Sequence, residues 1–260
     1  MPLRDFKIGS VGEEVYPRFV ENLARAFDDP ALDRNVVVRD ALARLYLGRD
    51  FAYDEVVNDP GVSLATRSLV ASFDPRNATL EAEYYREIDL EKWSRVKPLL
   101  WFWQMFDHSP AGRNVRLGTQ LRYMLAQRVF KKCGEKVRIF HEVEFSFGYN
   151  LTVGNGVTIH RNVLIDDRGE VIIGDDASIS DYANIYSHSH AVEDIHDVSL
   201  ARTEIGARAR ITYHSVVLSG VKVGNDAIVG SMGVASKPVE PGWIVGGIPA
   251  KLIAQKSVKP

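Results

Sequence analysis

Residues 205–229 read Ile205-Gly-Ala-Arg-Ala-Arg-Ile211-Thr-Tyr-His-Ser-Val-Val217-Leu-Ser-Gly-Val-Lys-Val223-Gly-Asn-Asp-Ala-Ile-Val229, with an aliphatic residue at every sixth position. The same spacing runs through Val153, Ile159 and Ile165, then through Ile173, Ile179 and Ile185. The fifth position of each hexad is small or β-branched, as in Val157, Ala177, Ala183, Ala209, Ser215 and Ala227. A helix repeats every 3.6 residues and a strand every two, so neither predicts this pattern. A coil of three short flat faces does. Each hexad is then one strand and one corner, with the aliphatic residue on the axis and the small residue where the chain turns. Gly154, Gly174, Gly206 and Gly224 follow the aliphatic residue, and Asn or Asp comes next in three cases, so these corners are expected to use positive φ.

The register slips twice. Ile165 to Ile173 is longer than one hexad, so Asp167-Arg-Gly-Glu170 must bulge; Ile185 to Ile205 is not a multiple of six, so a loop must leave the coil within about 190–204. Loops that leave a rigid scaffold commonly carry chemistry, and this one begins at Ser187-His-Ser-His190.

Upstream of the repeat the composition changes. Of 20 glycines, seven precede Phe147, while Trp93, Trp101 and Trp103 all do. Tyr16, Phe19, Val20, Leu23 and Phe27 share one helical face; Val38, Ala41, Leu42 and Leu45 share another, closed by Gly48. No period is evident between about 50 and 90. Lys92 to Phe106 reads as a buried helix in preference to one lying on a membrane. A helix over 120–132 places Leu121, Met124, Leu125 and Val129 on one face, with Arg128, Lys131 and Lys132 in its last turns, where cations complement the helix dipole. The expected organisation is α+β: a mainly helical N-terminal domain, 1–134, followed by a parallel β-helix domain, 135–260, with an extruded loop and a short C-terminal tail.

A net charge of -2 leaves no excess of positive charge for nucleic acid. No apolar run approaches membrane-span length, and the opening residues lack a signal-peptide pattern, so a cytoplasmic protein without a transmembrane segment is expected. Cys133 is the single cysteine, which excludes an internal disulfide and a thiolate metal site.

The repeat resembles the left-handed β-helix of the hexapeptide acyltransferases, most closely the maltose and galactoside O-acetyltransferases. The resemblance rests on Phe147-Gly-Tyr-Asn150, Val153-Gly-Asn155, Arg161-Asn162, Asp167, Ile185-Tyr-Ser-His-Ser-His190 and the closing Val245-Gly-Gly-Ile-Pro-Ala-Lys-Leu-Ile253. It implies a coenzyme A-dependent O-acyltransferase that moves acetyl from acetyl-CoA to a hydroxyl of a sugar or polysaccharide precursor. His190 falls on the family's general base, since imidazole titrates near neutrality and a thioester needs no covalent enzyme intermediate. The candidate acceptor contacts are Asp167, which matches a family position that binds a sugar hydroxyl, His160, which stands where the family often has a sugar-binding asparagine, Asn162 and His188. The donor positions implied are Ser231, Ser236, Lys237 and Lys251, with Tyr213 in place of a small residue. A homotrimer with sites between subunits follows from the same resemblance, and no metal is expected.

Two other readings are carried. The paired His188 and His190, with His160, His196 and His214 nearby, suit a metal-dependent β-helix enzyme of the gamma-carbonic-anhydrase type. A non-catalytic scaffold that trimerises the helical part is the second. A sugar nucleotidyltransferase is disfavoured, because no Gly-rich nucleotide loop precedes the repeat.

Overall fold

The structure, a computed structural model, describes residues 7–256. Its contacts divide the chain into two compact units, up to Asn77 and from Ala78 onward.

The first unit is helical. Helices α1 (Ser10–Asp28) and α2 (Arg34–Leu47) are the two helical segments expected from the sequence, and they bury Leu23, Phe27, Val38 and Leu42. Asp33 caps α2 by accepting from the Asn35 amide at 2.8 Å, and Gly48 ends it in the left-handed conformation at φ 70°. The stretch without a legible period holds the short helices α3 (Tyr53–Asn58) and α4 (Leu64–Ala71). Neither is long enough to show a face.

The second unit contains α5 (Leu90–Asp107), α6 (Val115–Val129) and the coil. Trp93, Phe102, Trp103 and Phe106 of α5 are buried, and no described helix is long and apolar enough to cross a membrane. Helix α6 starts earlier than the expected 120–132, because Asn114 caps it by accepting from the Leu117 amide. It also ends earlier. Lys131 and Lys132 therefore lie beyond the helix, where Lys131 pairs with Glu170 at 2.5 Å and Lys132 opens the first strand.

The change from helix to coil thus falls at 129–132, beside the composition shift. The coil is a left-handed parallel β-helix of about six turns, built as three parallel faces. The first face stacks Lys132–Cys133, Leu151–Val153, Val171–Ile173, Thr203–Ile205 and Lys222–Val223. The second runs from Arg138–Ile139 to Trp243–Gly246, after which Lys251–Gln255 turns back antiparallel. The third runs from Glu144–Phe145 through Leu164–Ile165 and Asn184–Ile185 to Val234–Ala235. Every aliphatic residue that set the period, from Val153 to Val229, is 0 or 1% exposed. The register Ile159↔Ile179↔Ile211↔Val229 shows why: each axial side chain sits on the one a turn below.

Two expectations need correction. Gly154, Gly174, Gly206 and Gly224 do not take positive φ; that conformation falls two residues later, at Gly156, Asp176, Arg208 and Asp226. The first set is small because successive corners touch. A Cβ on Gly174 would lie 2.6 Å from the Ala207 backbone nitrogen, and one on Gly206 equally close to that of Asn225. The coil also starts one turn before the legible repeat, since Cys133, Ile139 and Phe145 occupy axial positions. Helices α5 and α6 close that end. Phe145 meets Trp103 at 5.3 Å and Phe130 at 5.0 Å, while the buried Asp107 pairs with Arg122 at 2.6 Å and accepts the Glu142 amide at 2.8 Å.

The glycine column makes a direct prediction. Gly174→Ala should cost about 1–3 kcal/mol, the usual penalty for overpacking a close contact, because a backbone neighbour cannot rotate away. Alanine at exposed Ser236 should cost less than about 0.5 kcal/mol. Paired thermal melts distinguish the two.

Candidate active site

The longer register slip is a two-stranded hairpin. His188–His190 pairs antiparallel with Val198–Leu200, and the coil resumes at Thr203. This hairpin leaves the coil between the third and first faces, and it forms one wall of a cleft of about 940 Å³. The opposite wall is the segment Leu80–Glu87 with Trp93 and Gln104; the floor is Ser146, Asp166, Arg168 and Tyr186.

Both hairpin histidines line this cleft, their rings perpendicular with centroids 5.2 Å apart. The His190 Nδ1 lies 2.5 Å from the Ile195 carbonyl oxygen. A carbonyl only accepts, so Nδ1 carries a proton, and in the neutral imidazole the lone pair is then on Nε2. His188 is held differently, with Nδ1 2.5 Å from the Asp166 carboxylate. Asp166 is buried and fixed by further donors: the Ser146 hydroxyl at 2.9 Å and the backbone amides of Ser187 and His188 at 3.0 and 3.2 Å.

Asp167 differs sharply from its neighbour. It is 0% exposed, and its two oxygens accept the Phe147 amide at 2.7 Å and the Asn150 amide at 3.1 Å. The expectation that it binds an acceptor hydroxyl does not fit this burial. The bulge instead turns Asp167 inward to tie down 147–150 and presents Asp166 to the cleft. Burial pushes the Asp167 carboxyl up to about 6 even against those amides.

Arg168, also in the bulge, is buried beneath the opposite wall. Its guanidinium pairs with Glu87 and lies 4.0 Å from the Tyr85 ring centroid. Burial, the largest single influence, would raise the Glu87 carboxyl, but the hydrogen bond and charge of Arg168 together with a backbone amide bring the net shift downward. Asp89 donates its backbone amide to the Tyr149 hydroxyl at 2.9 Å, which anchors the same segment to the coil. Tyr84 stands on the rim of this wall, 79% exposed.

The other sequence-derived candidates lie elsewhere. His160 stacks on Phe140 at 5.1 Å, and Asn162 donates to Glu142 at 2.7 Å; both occupy the turn between the second and third faces. Tyr213 and Ser231 occupy that turn farther along the coil, both exposed, and the Met232 amide donates to the Tyr213 carbonyl. Ser236, Lys237 and Lys251 are exposed near the C-terminal end. None of these seven residues lines the cleft. Of the hairpin's polar residues, His196 and Asp197 reach it, while Asp194 accepts the His196 amide within its own turn. Cys133 is part-buried in the first strand, its thiol pushed up to about 11 by burial, so it stays protonated near neutrality. Among the described residues, no group of three or more His, Cys, Asp and Glu side chains is arranged to hold a metal ion.

Asp166, Arg168, Glu87 and Tyr84 were missed in the sequence. The Asp166-Asp167 doublet at a register slip was the only available signal for the first, and it did not say which carboxylate faces out.

Asp167→Asn should show the cost of the buried carboxyl. The folded protein binds the Asp167 proton more tightly than an unfolded aspartate near 3.9 does. The folded state therefore gains on the unfolded one as pH falls through the window from about 6 to 4. The melting temperature of wild type minus that of Asp167→Asn should be larger at about pH 4.5 than at about pH 7.5.

No family model matches the chain. The galactoside O-acetyltransferase of Escherichia coli K12 is 27% identical over 172 residues, which is 64% of this chain and 79% of that protein. A solved galactoside acetyltransferase in complex with coenzyme A superposes with a TM-score of 0.55 at 25% identity, covering 64% of this chain and 81% of the other. A maltose O-acetyltransferase from Clostridium difficile 630 superposes with a TM-score of 0.57 at 19% identity over 69% of this chain and 99% of its own, a likeness of fold. The six-residue coil, its histidine-bearing hairpin and these relatives together support a hexapeptide-repeat acetyltransferase.

Proposed function

We propose that the protein transfers an acetyl group from acetyl-CoA to a hydroxyl of a sugar or polysaccharide precursor, with His190 as general base. The observation that carries this reading is the His190 Nδ1 contact to the Ile195 carbonyl in the cleft lining, which selects the neutral tautomer with its lone pair on Nε2, the form a general base requires. His190 Nε2 takes the proton of the acceptor hydroxyl as its oxygen attacks the thioester carbonyl. The new C–O bond forms, the C–S bond breaks, and the His190 imidazolium returns the proton to the departing sulfur. No side-chain nucleophile is needed, in keeping with the protonated Cys133 thiol.

Coenzyme A is bound by the solved relative at 25% identity, which supports the same donor here. Ser231, Ser236, Lys237 and Lys251 are exposed, so their hydroxyls and ammonium groups are available to a pantetheine arm and its phosphates; Lys251 would act as a point charge without the fork of an arginine. These residues lie off the hairpin cleft, so a complete site takes the hairpin of one copy and the donor corner of another. A homotrimer meets that need. Exposed Tyr182, Tyr213 (48%) and Met232 (60%) on that turn are apolar surface suited to a subunit contact. In this reading 135–260 is the acyltransferase domain, 1–134 the helical one, and the protein works in the cytoplasm.

The cleft lining also bears on the acceptor. Glu81, Glu87, Glu144, Asp166 and Asp197 face it against Arg86 and Arg168, and Arg168 is already paired. Anionic acceptors would meet net repulsion. Thiol release from acetyl-CoA should therefore be faster with neutral glycosides than with the matching sugar phosphates or nucleotide-linked sugars, and the gap should shrink with added salt.

His190→Ala should keep the wild-type melting temperature and lose about 10²- to 10⁴-fold in kcat, the usual worth of a positioned general base. Near-wild-type turnover by a folded His190→Ala protein on an identified acceptor would remove His190 from this role.

A further inference from the structure

A second imidazole shares the cleft with His190, and it is the better anchored of the two. His188 Nδ1 donates to Asp166, whose carboxylate is buried and already fixed by the Ser146 hydroxyl and the amides of Ser187 and His188. Asp166 therefore fixes the ring orientation of His188 and, in the neutral imidazole, the tautomer whose acceptor is Nε2. His190 is anchored by a loop carbonyl with the same outcome. Two lone pairs on perpendicular rings 5.2 Å apart thus belong to one cleft.

Acetyl transfer to one hydroxyl uses only one base. From this pairing we infer that the Asp166–His188 pair reads a second hydroxyl on the carbon adjacent to the one acetylated, which makes the preferred acceptor a vicinal diol. The inference rests on acetyl transfer to a hydroxyl with His190 as base. Rings with centroids 5.2 Å apart are close enough for hydrogen bonds of about 2.8 Å from both to reach one small fragment of the acceptor. His190 takes the proton of the attacked oxygen, while His188 accepts from the neighbouring hydroxyl and takes no proton in the reaction. The adjacent hydroxyl so held fixes the attacked oxygen against the thioester carbonyl. An acceptor lacking it would leave the His188 Nε2 desolvated and unpaired, which is what makes such a site selective. His188 is thus a specificity residue, and Asp166 is its positioning residue.

Thiol release from acetyl-CoA with methyl hexopyranosides, and product mapping by NMR, identify the hydroxyl acetylated. Each substrate is then compared with its monodeoxy analogue at the adjacent carbon. Wild type should lose about 10- to 100-fold in kcat/KM on the deoxy acceptor, the range for an orphaned hydrogen-bonding partner. In His188→Ala the same deletion should cost less than about twofold, because the discriminating group is gone. His188→Gln, whose amide oxygen still accepts, should regain part of the discrimination. Equal loss on diol and deoxy acceptors in a folded His188→Ala protein overturns the inference, and so does a wild type that does not discriminate. Absence of thiol release from every glycoside instead overturns acetyl transfer to sugar hydroxyls, and this inference with it.

Discussion

Successive turns of the coil touch at their corners, and that contact constrains everything else. Gly154, Gly174 and Gly206 stack so closely that a Cβ on any of them would lie within about 2.7 Å of backbone in the next turn. The column permits the parallel pairing of each two- or three-residue strand with its neighbours, and that pairing satisfies the backbone of the coil. The axis then accepts one aliphatic side chain per face and turn. A structure so regular has no slack. Any residue in excess of the period must leave the coil, and the excess residues after Ile185 and Ile165 are the hairpin and the bulge that build the cleft.

The bulge shows how little freedom that leaves. Asp166 and Asp167 are consecutive, so in an extended chain they point to opposite sides. Asp167 goes inward, where the Phe147 and Asn150 amides would otherwise be unpaired, and its raised pKa is the cost of that burial. Asp166 goes outward and meets His188 from the next turn. Arg168, one step on, reaches the opposite wall through Glu87 and Tyr85. One register slip therefore anchors the coil, orients an imidazole and fastens the far wall of the cleft.

Much of this was legible in the residues. The hexad period gave the faces, the axial residues and both slips, because periodicity is a property of the sequence itself. His190 was found because family likeness and register break coincide there. The first turn was hidden, since Cys133 and Phe145 are not the aliphatic residues that mark the others. The role of the corner glycines was misread for a related reason: close approach between turns involves residues some 18 to 32 apart in the chain, whereas positive φ is a local signal. Which of two adjacent aspartates lines the cleft depends on a half-turn of backbone at the bulge. The segment 80–89 carries no period, so its place as a cleft wall comes only from the packing of Arg168 and Tyr149 against it.

The separation of the candidate residues follows from the same rigidity. His188 and His190 leave between the third and first faces, while Tyr213 and Ser231 lie between the second and third. Strands of two residues, each paired above and below, hold these corners apart, and no hinge within the coil could close them. A flexible enzyme can bring donor and acceptor together by domain closure; a solenoid lacks that motion. Its remaining route is to place one copy's corner against another's hairpin. The exposed Tyr182, Tyr213 and Met232 lie on the corner that would have to be covered. The proposed assembly would then follow from the corner packing: the stiffness that orients His188 and His190 also keeps the hairpin and the proposed donor residues apart within one chain.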